Sequence, residues 1–211
     1  MDEQQRQATQ ASYDAVAAEY AARFFDELAA KPLDRALLDC FAELTADLGL
    51  VADIGCGPGH VARYLHEHGV HVIGIDLSPE MVAAAQRLSP AIPFQQGDML
   101  ALNLAAGSLG AIAAFYAIIH VPPDEALRSF ARVLRVGGLL LVAFHMGEEC
   151  VHRDEWWHQP VSLDFQFYQP AHLIALMEAA GFTVEMQLER APYPAEHPSQ
   201  RGYLLARRMP S

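Results

Sequence analysis

The chain has 211 residues, of which 52% are hydrophobic and 19% are charged, and this composition excludes a mainly disordered protein. Its 14 basic and 26 acidic side chains give a formal charge of −12 at pH 7, which argues against nonspecific binding to nucleic acid or to anionic lipid. The three cysteines have no disulfide-framework or zinc-site spacing, and the apolar stretches are shorter than the roughly 20 residues of a membrane helix, so we expect a soluble, cytoplasmic protein without a membrane or nucleic-acid partner.

Helical periodicity opens the chain at about 8–30 and 33–48, and a short apolar strand follows at 50–54. Helices and strands then alternate up to a strand at 139–144. The predicted elements between these strands are a helix at 61–68, a strand at 70–75, a helix from Ser78, a strand at 92–95, a strand at 111–116 and a helix at 124–136. This alternation predicts a doubly wound, three-layer α/β/α fold around a mostly parallel seven-stranded sheet.

The segment 146–169 interrupts the alternation because it is rich in His, Trp, Asp and Glu, and we interpret it as an insertion made of a loop or short helices. A helix at 170–180 and strands at 182–188 and 202–207 complete the chain, and one of these two strands is expected to run antiparallel. No repeat or flexible linker divides the sequence, which predicts a single domain. Its expected parts are N-terminal helices over the site (1–48), a ligand-binding core (49–145), a lid-like insertion (146–169) and a C-terminal helix with two strands (170–211).

A glycine-rich loop follows the first predicted strand, with the sequence DIGCGPGH at 53–60. Ligands of parallel sheets bind at the carboxyl ends of the strands, where glycines let a ligand approach bare backbone. A tight turn that only suits helix packing is the alternative interpretation. Asp76 ends the next strand about twenty residues later, where a carboxylate can accept hydrogen bonds from both hydroxyls of a ribose. Together the two features predict a cofactor that contains adenosine.

The spacing of the glycines distinguishes between such cofactors. A dinucleotide site has the pattern GxGxxG, whereas here Gly59 comes one position early and His60 stands in its place. Asp53 would add a second carboxylate, which repels phosphate and attracts an ammonium or sulfonium group. The pattern therefore disfavours a nicotinamide dinucleotide and favours a cationic ligand.

Five segments in order resemble the class I S-adenosylmethionine-dependent methyltransferases. They are VADIGCGPGH at 51–60, GIDLS at 74–78, GDML at 97–100, AFYAIIHVP at 114–122 and RVLRVGGLLLVAF at 132–144. The resemblance implies S-adenosylmethionine as cofactor, with S-adenosylhomocysteine as product. The residues that it implies for cofactor binding are Tyr13, Tyr20, Asp53, Gly55, Cys56, Gly57, Gly59, Asp76, Leu77, Met81, Asp98, Met99, Phe115, Tyr116 and Ala117.

Within that set the resemblance implies separate roles. Asp76 would bind the ribose diol, and Asp98 would accept a hydrogen bond from the exocyclic amine of adenine. The two tyrosines of the first helix, Tyr13 and Tyr20, would close over the cofactor, with simple core packing as the alternative. Cys56 is interpreted as a small residue that the loop tolerates, with a reactive thiol as the alternative.

His120 follows the apolar residues after the fourth strand of the core and is the candidate catalytic residue. Methyl transfer requires a general base only when the acceptor atom carries a proton that has to leave. A histidine here is also common in the family, so positioning of the substrate or packing of the loop is an equal alternative.

The insertion and the strand before it supply four candidate substrate-binding residues: His145, Trp156, Trp157 and Tyr168. Aromatic walls with a few polar groups are typical of small-molecule pockets. The alternative is a surface excursion whose aromatic side chains anchor it to the core. No metal site is expected, because the histidines of this region lack the HExxH or paired helical spacing of metal ligands.

The sequence therefore predicts an enzyme that methylates a small molecule. A noncatalytic S-adenosylmethionine-binding or regulatory protein, a protein methyltransferase and an NAD(P)-dependent oxidoreductase are the alternatives.

Overall fold

The computed structural model describes residues 1–210, and strands and helices alternate through most of that length. The α-helices are α1 (Glu3–Phe24), α2 (Pro32–Thr45), α3 (His60–Glu67), α4 (Pro79–Leu88), α5 (Pro123–Val133) and α6 (Pro170–Ala179). The strands are β1 (Val51–Ile54), β2 (Val72–Asp76), β3 (Phe94–Gln96), β4 (Leu109–Phe115), β5 (Leu134–His145), β6 (Cys150–Trp156), β7 (Gln159–Gln166), β8 (Phe182–Arg190) and β9 (Arg201–Arg208). Short 3₁₀ helices lie at Glu27–Ala30 and Ile118–His120.

Seven of these strands form one sheet in the order β3-β2-β1-β4-β5-β9-β8. Neighbouring strands from β3 to β5 are parallel, whereas β9 is antiparallel to both β5 and β8. The strand order reverses direction at β1, because β2 and β4 lie on its two sides. At such a switch point the carboxyl ends of the two neighbouring strands, here β1 and β4, form a crevice that can bind a ligand. The predicted fold class is confirmed.

Helices cover both faces of the sheet, because successive residues of each strand point to opposite sides. On one face, Ile54 of β1 packs in a buried cluster with Phe130 of α5 and Leu173 of α6. On the other face, Val51 of β1 belongs to a second cluster that includes Phe41 of α2. This burial on both faces explains why the central strands are mostly apolar and do not alternate with polar residues.

Residues 150–166 are a β-hairpin, so the interpretation of this segment as a loop or short helices was wrong. Strands β6 and β7 pair antiparallel, and Trp156 lies opposite Gln159 across a two-residue turn. The turn residues Trp157 and His158 have φ of 50° and 64°, a conformation usually given by Asn-Gly. The sequence therefore lacks the usual turn dipeptide that would have indicated a hairpin here.

The hairpin is held on the domain by α1, which also packs against α4. Val16 of α1 forms a small buried cluster with Val161 and Leu163 of β7, and the Ser12 hydroxyl accepts a hydrogen bond of 2.8 Å from the Ser162 amide. The helix begins earlier than predicted because Asp2 and Gln5 form a capping box, and it ends at Phe24 rather than near 30. Among residues 1–210, no helix combines the length and the apolar character that crossing a membrane requires.

Candidate functional site

A first cavity, of about 90 Å³, opens at the carboxyl ends of β1, β2 and β4 and is covered by α1. It brings together most of the residues that the sequence singled out for cofactor binding, together with His120. Those that line it are Tyr13, Tyr20, Gly55, Cys56, Gly57, Asp76, Leu77, Met81, Asp98, Met99, Phe115, Tyr116 and Ala117. Asp53 and Gly59 are not in its lining. Met1, Thr9, Ile54, His60, Gly97 and Val121 also line it, and the sequence had not marked them.

Two glycines of the loop are required for different reasons. Gly55 has φ of 70°, and a β-carbon there would lie 2.4 Å from the β-carbon of Ala117, so close packing excludes any side chain. Gly57 has φ of 52°, and a β-carbon there would meet only the Tyr20 ring, at 3.8 Å. The backbone at Gly57 is therefore bare where it faces the cavity, which lets a ligand approach it closely.

Asp76 lies at the end of β2, and its carboxylate is held by two backbone amides. Gly57 donates to Oδ2 at 2.7 Å and Ser78 donates to Oδ1 at 2.9 Å. A carboxylate accepts about four hydrogen bonds, so both oxygens keep capacity for ligand hydroxyls. Burial raises the pKa of Asp76, and the two amide hydrogen bonds oppose that rise. This fixed acceptor pair fits a ribose diol.

The far end of the first cavity combines apolar side chains with a second carboxylate. Leu77, Met81 and Met99 provide the apolar walls, and Asp98 accepts the Leu100 amide at 2.8 Å through Oδ1. A flat base with one exocyclic amine matches these walls and this acceptor. The donor set and the bare glycine backbone together fit S-adenosylmethionine.

Asp53 faces the start of α3 instead of the cavity. It is buried, and its Oδ2 accepts the Ala62 amide at 3.0 Å. Burial raises the pKa of Asp53 to about 7, so the carboxyl group is partly protonated at neutral pH. The expected attraction between a second carboxylate and a cationic ligand is correspondingly weaker than the sequence argument assumed.

His120 contacts α1 on one side and the hairpin on the other. Its Nδ1 lies 2.8 Å from the Asp164 carbonyl oxygen, and its Nε2 lies 2.7 Å from the Tyr13 hydroxyl. A carbonyl can only accept, so Nδ1 carries the proton and Nε2 accepts the hydroxyl hydrogen of Tyr13. Burial lowers the pKa of His120 to about 4, which keeps the ring neutral at pH 7.

A second and larger cavity, of about 470 Å³, lies beside the first one between α1, the hairpin and the segment before β9. Its lining includes the rings of Phe24, Trp156, Phe165, Phe167 and Tyr193. Its charged groups were not predicted: Arg23, Glu27, Lys31, Arg153, Glu196 and Arg201. They come from three separate parts of the chain, residues 23–31, Arg153 and residues 196–201, and no local motif marks them.

Two of the four candidate substrate-binding residues, His145 and Trp156, line the second cavity, and the other two do not. Trp157 stacks on Trp156 with 4.6 Å between the ring centroids, behind the cavity wall. Tyr168 is buried, and its hydroxyl donates to the carbonyl oxygens of Ile118 at 3.5 Å and Val121 at 3.4 Å. Trp157 thus braces the wall, and Tyr168 fixes the 3₁₀ helix that carries His120.

Three tyrosines, Tyr13, Tyr20 and Tyr116, belong to the linings of both cavities. The Tyr116 hydroxyl lies 3.2 Å from that of Tyr203, which donates to Asp34 at 2.8 Å. Because Tyr203 uses its own hydrogen on Asp34, Tyr116 donates to Tyr203 and keeps only acceptor lone pairs for the cavities. The Tyr13 hydroxyl likewise offers only acceptor lone pairs to the cavities, because it donates its hydrogen to His120.

Among residues 1–210, no three His, Cys, Asp or Glu side chains come together in a way that could hold a metal ion. The three cysteines are all free, and burial raises the pKa of the Cys56 thiol well above its usual range. A thiol in that environment stays protonated and serves as a small apolar side chain.

Residues 52–142 match a family described as "Methyltransferase domain". A malonyl-[acyl-carrier protein] O-methyltransferase of Enterobacter lignolyticus is 35% identical over 91 residues, which cover 43% of this chain and 36% of that protein. Ajmaline N-methyltransferase of Rauvolfia serpentina is 32% identical over 137 residues, covering 58% of this chain and 44% of that protein. The matches thus span less than half of either relative.

Among solved structures, the DhpI–SAH complex superposes over the whole of both chains with a TM-score of 0.71 and 23% identity, a likeness of fold. The sheet order, the glycine loop and Asp76 agree with the match at 52–142. Over residues 52–142 the chain is therefore similar to this methyltransferase family, and its fold is similar to that of the DhpI–SAH complex.

Proposed function

We propose that this protein transfers a methyl group from S-adenosylmethionine to a small-molecule acceptor, with the cofactor in the first cavity and the acceptor in the second. The observation that carries the proposal is the position of Tyr13, Tyr20 and Tyr116, which line both cavities. Two adjoining cavities with a common wall allow a donor and an acceptor to meet without crossing solvent. Alignment and exclusion of water can supply much of the rate enhancement of such a transfer.

S-adenosylmethionine supplies a methyl group on a positively charged sulfur, which leaves as a neutral thioether. The chain's part is to hold both reactants: Asp76 accepts the ribose hydroxyls, and Asp98 accepts the adenine amine. Tyr13 and Tyr20 of α1 cover the site, and the rings of Tyr13 and Tyr116 lie at the boundary between the cavities.

His120 serves in this proposal as a positioning residue. Its Nε2 already accepts the Tyr13 hydrogen, so a proton from the acceptor would have to displace that contact. By linking Tyr13 of α1 to the Asp164 carbonyl of the hairpin, His120 fixes the two elements that close the cavities. A base role would be lost in His120→Gln, whereas a positioning role would be partly kept, because glutamine accepts a hydrogen bond but does not take up a proton.

A small molecule is the acceptor that the second cavity favours. Its volume, about 470 Å³, lies within the roughly 300–1,000 Å³ of small-molecule pockets, and aromatic rings form part of its lining. The names of the two relatives, an O- and an N-methyltransferase, are compatible with different acceptor atoms. A protein substrate would need an open groove, and a noncatalytic protein would not need the second cavity.

The first experiment is calorimetric titration of the wild type and of Asp76→Ala with S-adenosylmethionine, S-adenosylhomocysteine and, as a negative ligand, NADH. We expect the wild type to bind both sulfur ligands and Asp76→Ala to lose about a hundredfold or more in affinity, because two charge-assisted hydrogen bonds disappear. Asp124→Ala removes a surface carboxylate that pairs with Arg128 and is the matched control.

Folded wild type that binds neither sulfur ligand would contradict the proposal, and so would preferential binding of NADH. A wild type that binds the cofactor is then incubated with methyl-labelled S-adenosylmethionine and pools of small molecules or proteins. Label in small molecules supports the proposal. Label only in proteins, or none in either pool, would favour the protein methyltransferase or the noncatalytic alternative.

A further inference from the structure

The second cavity collects positive charge in a chain whose net charge is −12. Four of its lining residues are Lys or Arg and two are Glu: Arg23, Lys31, Arg153 and Arg201 against Glu27 and Glu196. When an acidic protein gathers cations around one largely apolar cavity, the local electrostatic potential there is of opposite sign to the net charge and attracts an anionic ligand.

Two of these cations flank the ring that separates the cavities. The Lys31 ammonium and the Arg201 guanidinium each lie 5.8 Å from the centroid of the Tyr116 ring. Lys31 comes from the start of α2, and Arg201 begins β9, so the fold places them together from distant parts of the chain. Positive charge is thus concentrated beside the boundary where the acceptor atom would meet the methyl group.

Both cations retain donors for a ligand. Lys31 contacts Glu27 at 2.7 Å and Glu196 at 3.2 Å, which uses two of the three hydrogens of its ammonium group. Arg201 uses Nη1 and Nη2 on Ser199 and on the His197 carbonyl oxygen, and none of its hydrogen bonds involves Nε. Its contact with Glu196 is a distant 3.9 Å.

The other two cations lie against the tryptophans of the hairpin. The Arg23 guanidinium is 5.1 Å from the Trp157 ring, and the Arg153 guanidinium is 5.4 Å from the Trp156 ring. Arg23 pairs with Glu19, whereas Arg153 has no carboxylate partner among residues 1–210. The pKa of His145 is consistent with this positive charge. Burial lowers it most, to about 3 together with the nearby Arg201, His197 and Lys31, and Glu196 opposes the shift.

We infer that the acceptor is a small anion with an aromatic or otherwise apolar body, and that Lys31 and Arg201 hold its negatively charged oxygen at the boundary beside Tyr116. This inference rests on the proposed function and names its substrate class. The ring-lined walls accept the body, and the cations accept a carboxylate, phosphonate or similar oxyanion.

An oxyanion acceptor also explains the chemistry of the boundary. The acceptor oxygen forms a bond to the methyl carbon while the carbon–sulfur bond breaks, and the electron pair of that bond remains on sulfur. One negative and one positive charge cancel, giving a methyl ester and a neutral thioether, and no proton leaves. The reaction then needs no general base, in agreement with a His120 whose Nε2 is already occupied by Tyr13.

The test measures binding of matched probes to the wild type saturated with S-adenosylhomocysteine. The probes are benzoate and phenylphosphonate as anions, benzamide as the neutral analogue of benzoate, and benzylamine as the cation. We expect the anions to bind about tenfold or more tightly than benzamide, because a hydrogen bond to a charged group is stronger than one to a neutral group. Benzylamine should bind weakest.

Lys31→Met should reduce the affinity for benzoate about tenfold and leave the affinity for benzamide within a factor of about two. Arg153→Gln should cause a smaller loss of the same kind, and because Arg153 is exposed this variant tests the inference even if Lys31→Met folds poorly. Arg128→Gln removes a surface charge on α5, outside the lining of the second cavity, and is the control.

Equal binding of benzoate and benzamide, preference for benzylamine, or absence of binding by all four probes would overturn the inference. Binding of S-adenosylhomocysteine, measured first on the same sample, separates the two proposals. Its absence contradicts the proposed function, whereas its presence without a preference for anions contradicts only the acceptor class.

Discussion

The two cavities of this protein are built in different ways. The first consists largely of short motifs at the ends of neighbouring strands: Gly57 and Asp76 are 19 positions apart in the sequence and are joined by a direct hydrogen bond. The second draws on α1, the start of α2, the hairpin and the beginning of β9. A binding site made of one sheet edge can be recognised in a sequence, whereas a site made where four segments meet cannot.

The difference also extends to the kind of group that faces the ligand. The first cavity presents backbone amides, carboxylates and a bare glycine, which the sheet geometry dictates. The second presents cations and aromatic rings, most of them on α1, on the hairpin and in connecting segments outside the central sheet, with Arg201 of β9 and His145 of β5 as exceptions. Elements of that kind can change without disturbing the sheet, which is one physical reason why one scaffold can support many acceptors.

Gly55→Ala should damage the first cavity most. The new methyl group would lie 2.4 Å from the β-carbon of Ala117 at a φ of 70°, so the loop or Ala117 must shift. We expect the affinity for S-adenosylhomocysteine to fall by about a hundredfold or more, since strain at such a site exceeds about 1–3 kcal/mol once a clash is added. Calorimetry measures the affinity, and thermal unfolding checks that the variant folds.

Gly69→Ala is the matched control for this change. Gly69 has φ of 82°, but a β-carbon there meets nothing within 4 Å. This variant should lose about 1–2 kcal/mol of stability from backbone strain alone and keep its affinity for the cofactor. Equal losses of affinity in the two variants would show that Gly55 is not specific to the cofactor site.

Tyr13→Phe, His120→Ala and the double variant test the boundary between the two cavities. If His120 acts through Tyr13, each single change should lower turnover by about tenfold, and the double variant should lose little more, because both changes remove the same contact. Losses that multiply would indicate independent roles.

His120→Gln distinguishes positioning from proton transfer. The pKa of His120 is lowered to about 4, so the ring stays neutral between pH 5.5 and 8 and turnover should not follow its titration in that range. Glutamine can accept the hydrogen of the Tyr13 hydroxyl but does not take up a proton, so a positioning role predicts that His120→Gln recovers part of the turnover that His120→Ala loses. Turnover of His120→Gln as low as that of His120→Ala would indicate proton transfer.

His158→Gly should have the smallest effect and the opposite sign. His158 occupies the tip of the hairpin with φ of 64°, and its side chain is 97% exposed. Glycine accepts this conformation without strain, so we expect a gain of about 0.5–1 kcal/mol in the free energy of unfolding and unchanged cofactor affinity. A loss of stability in thermal or denaturant unfolding would show that His158 makes a contribution beyond the turn itself.

The fold could be predicted from the sequence because each element carries its own signal. Val51–Ile54 is a short, mostly apolar run before glycines. Ser78 followed by Pro79 marks a helix start that the structure shows, with the Ser78 hydroxyl accepting the Met81 amide at 3.0 Å. The hairpin could not be predicted, since its turn is Trp157-His158 and the residues of β6 are mostly exposed. Its strand conformation depends on pairing with β7 and on contacts of β7 with α1.

Most of the residues that the sequence singled out for the cofactor line the first cavity, whereas Asp53 and Gly59 do not. Asp53 matches the motif that carries the resemblance but faces α3, and its pKa of about 7 results from burial, which no motif displays. The partnership of Tyr13 with His120 joins residues 107 positions apart. Local patterns indicate which residues stand at a strand end, and only packing shows where their atoms point.

By itself, the sequence determined the alternation of strands and helices, the parallel sheet and the edge at which a cofactor would bind. These depend on hydrophobic period, on glycines and on residues adjacent along the chain. The tertiary structure alone decided that Lys31, Arg201 and the rings of the hairpin surround one cavity. Such contacts depend on how distant segments pack against one another. This packing is a property of the whole chain and cannot be inferred from any short stretch of sequence.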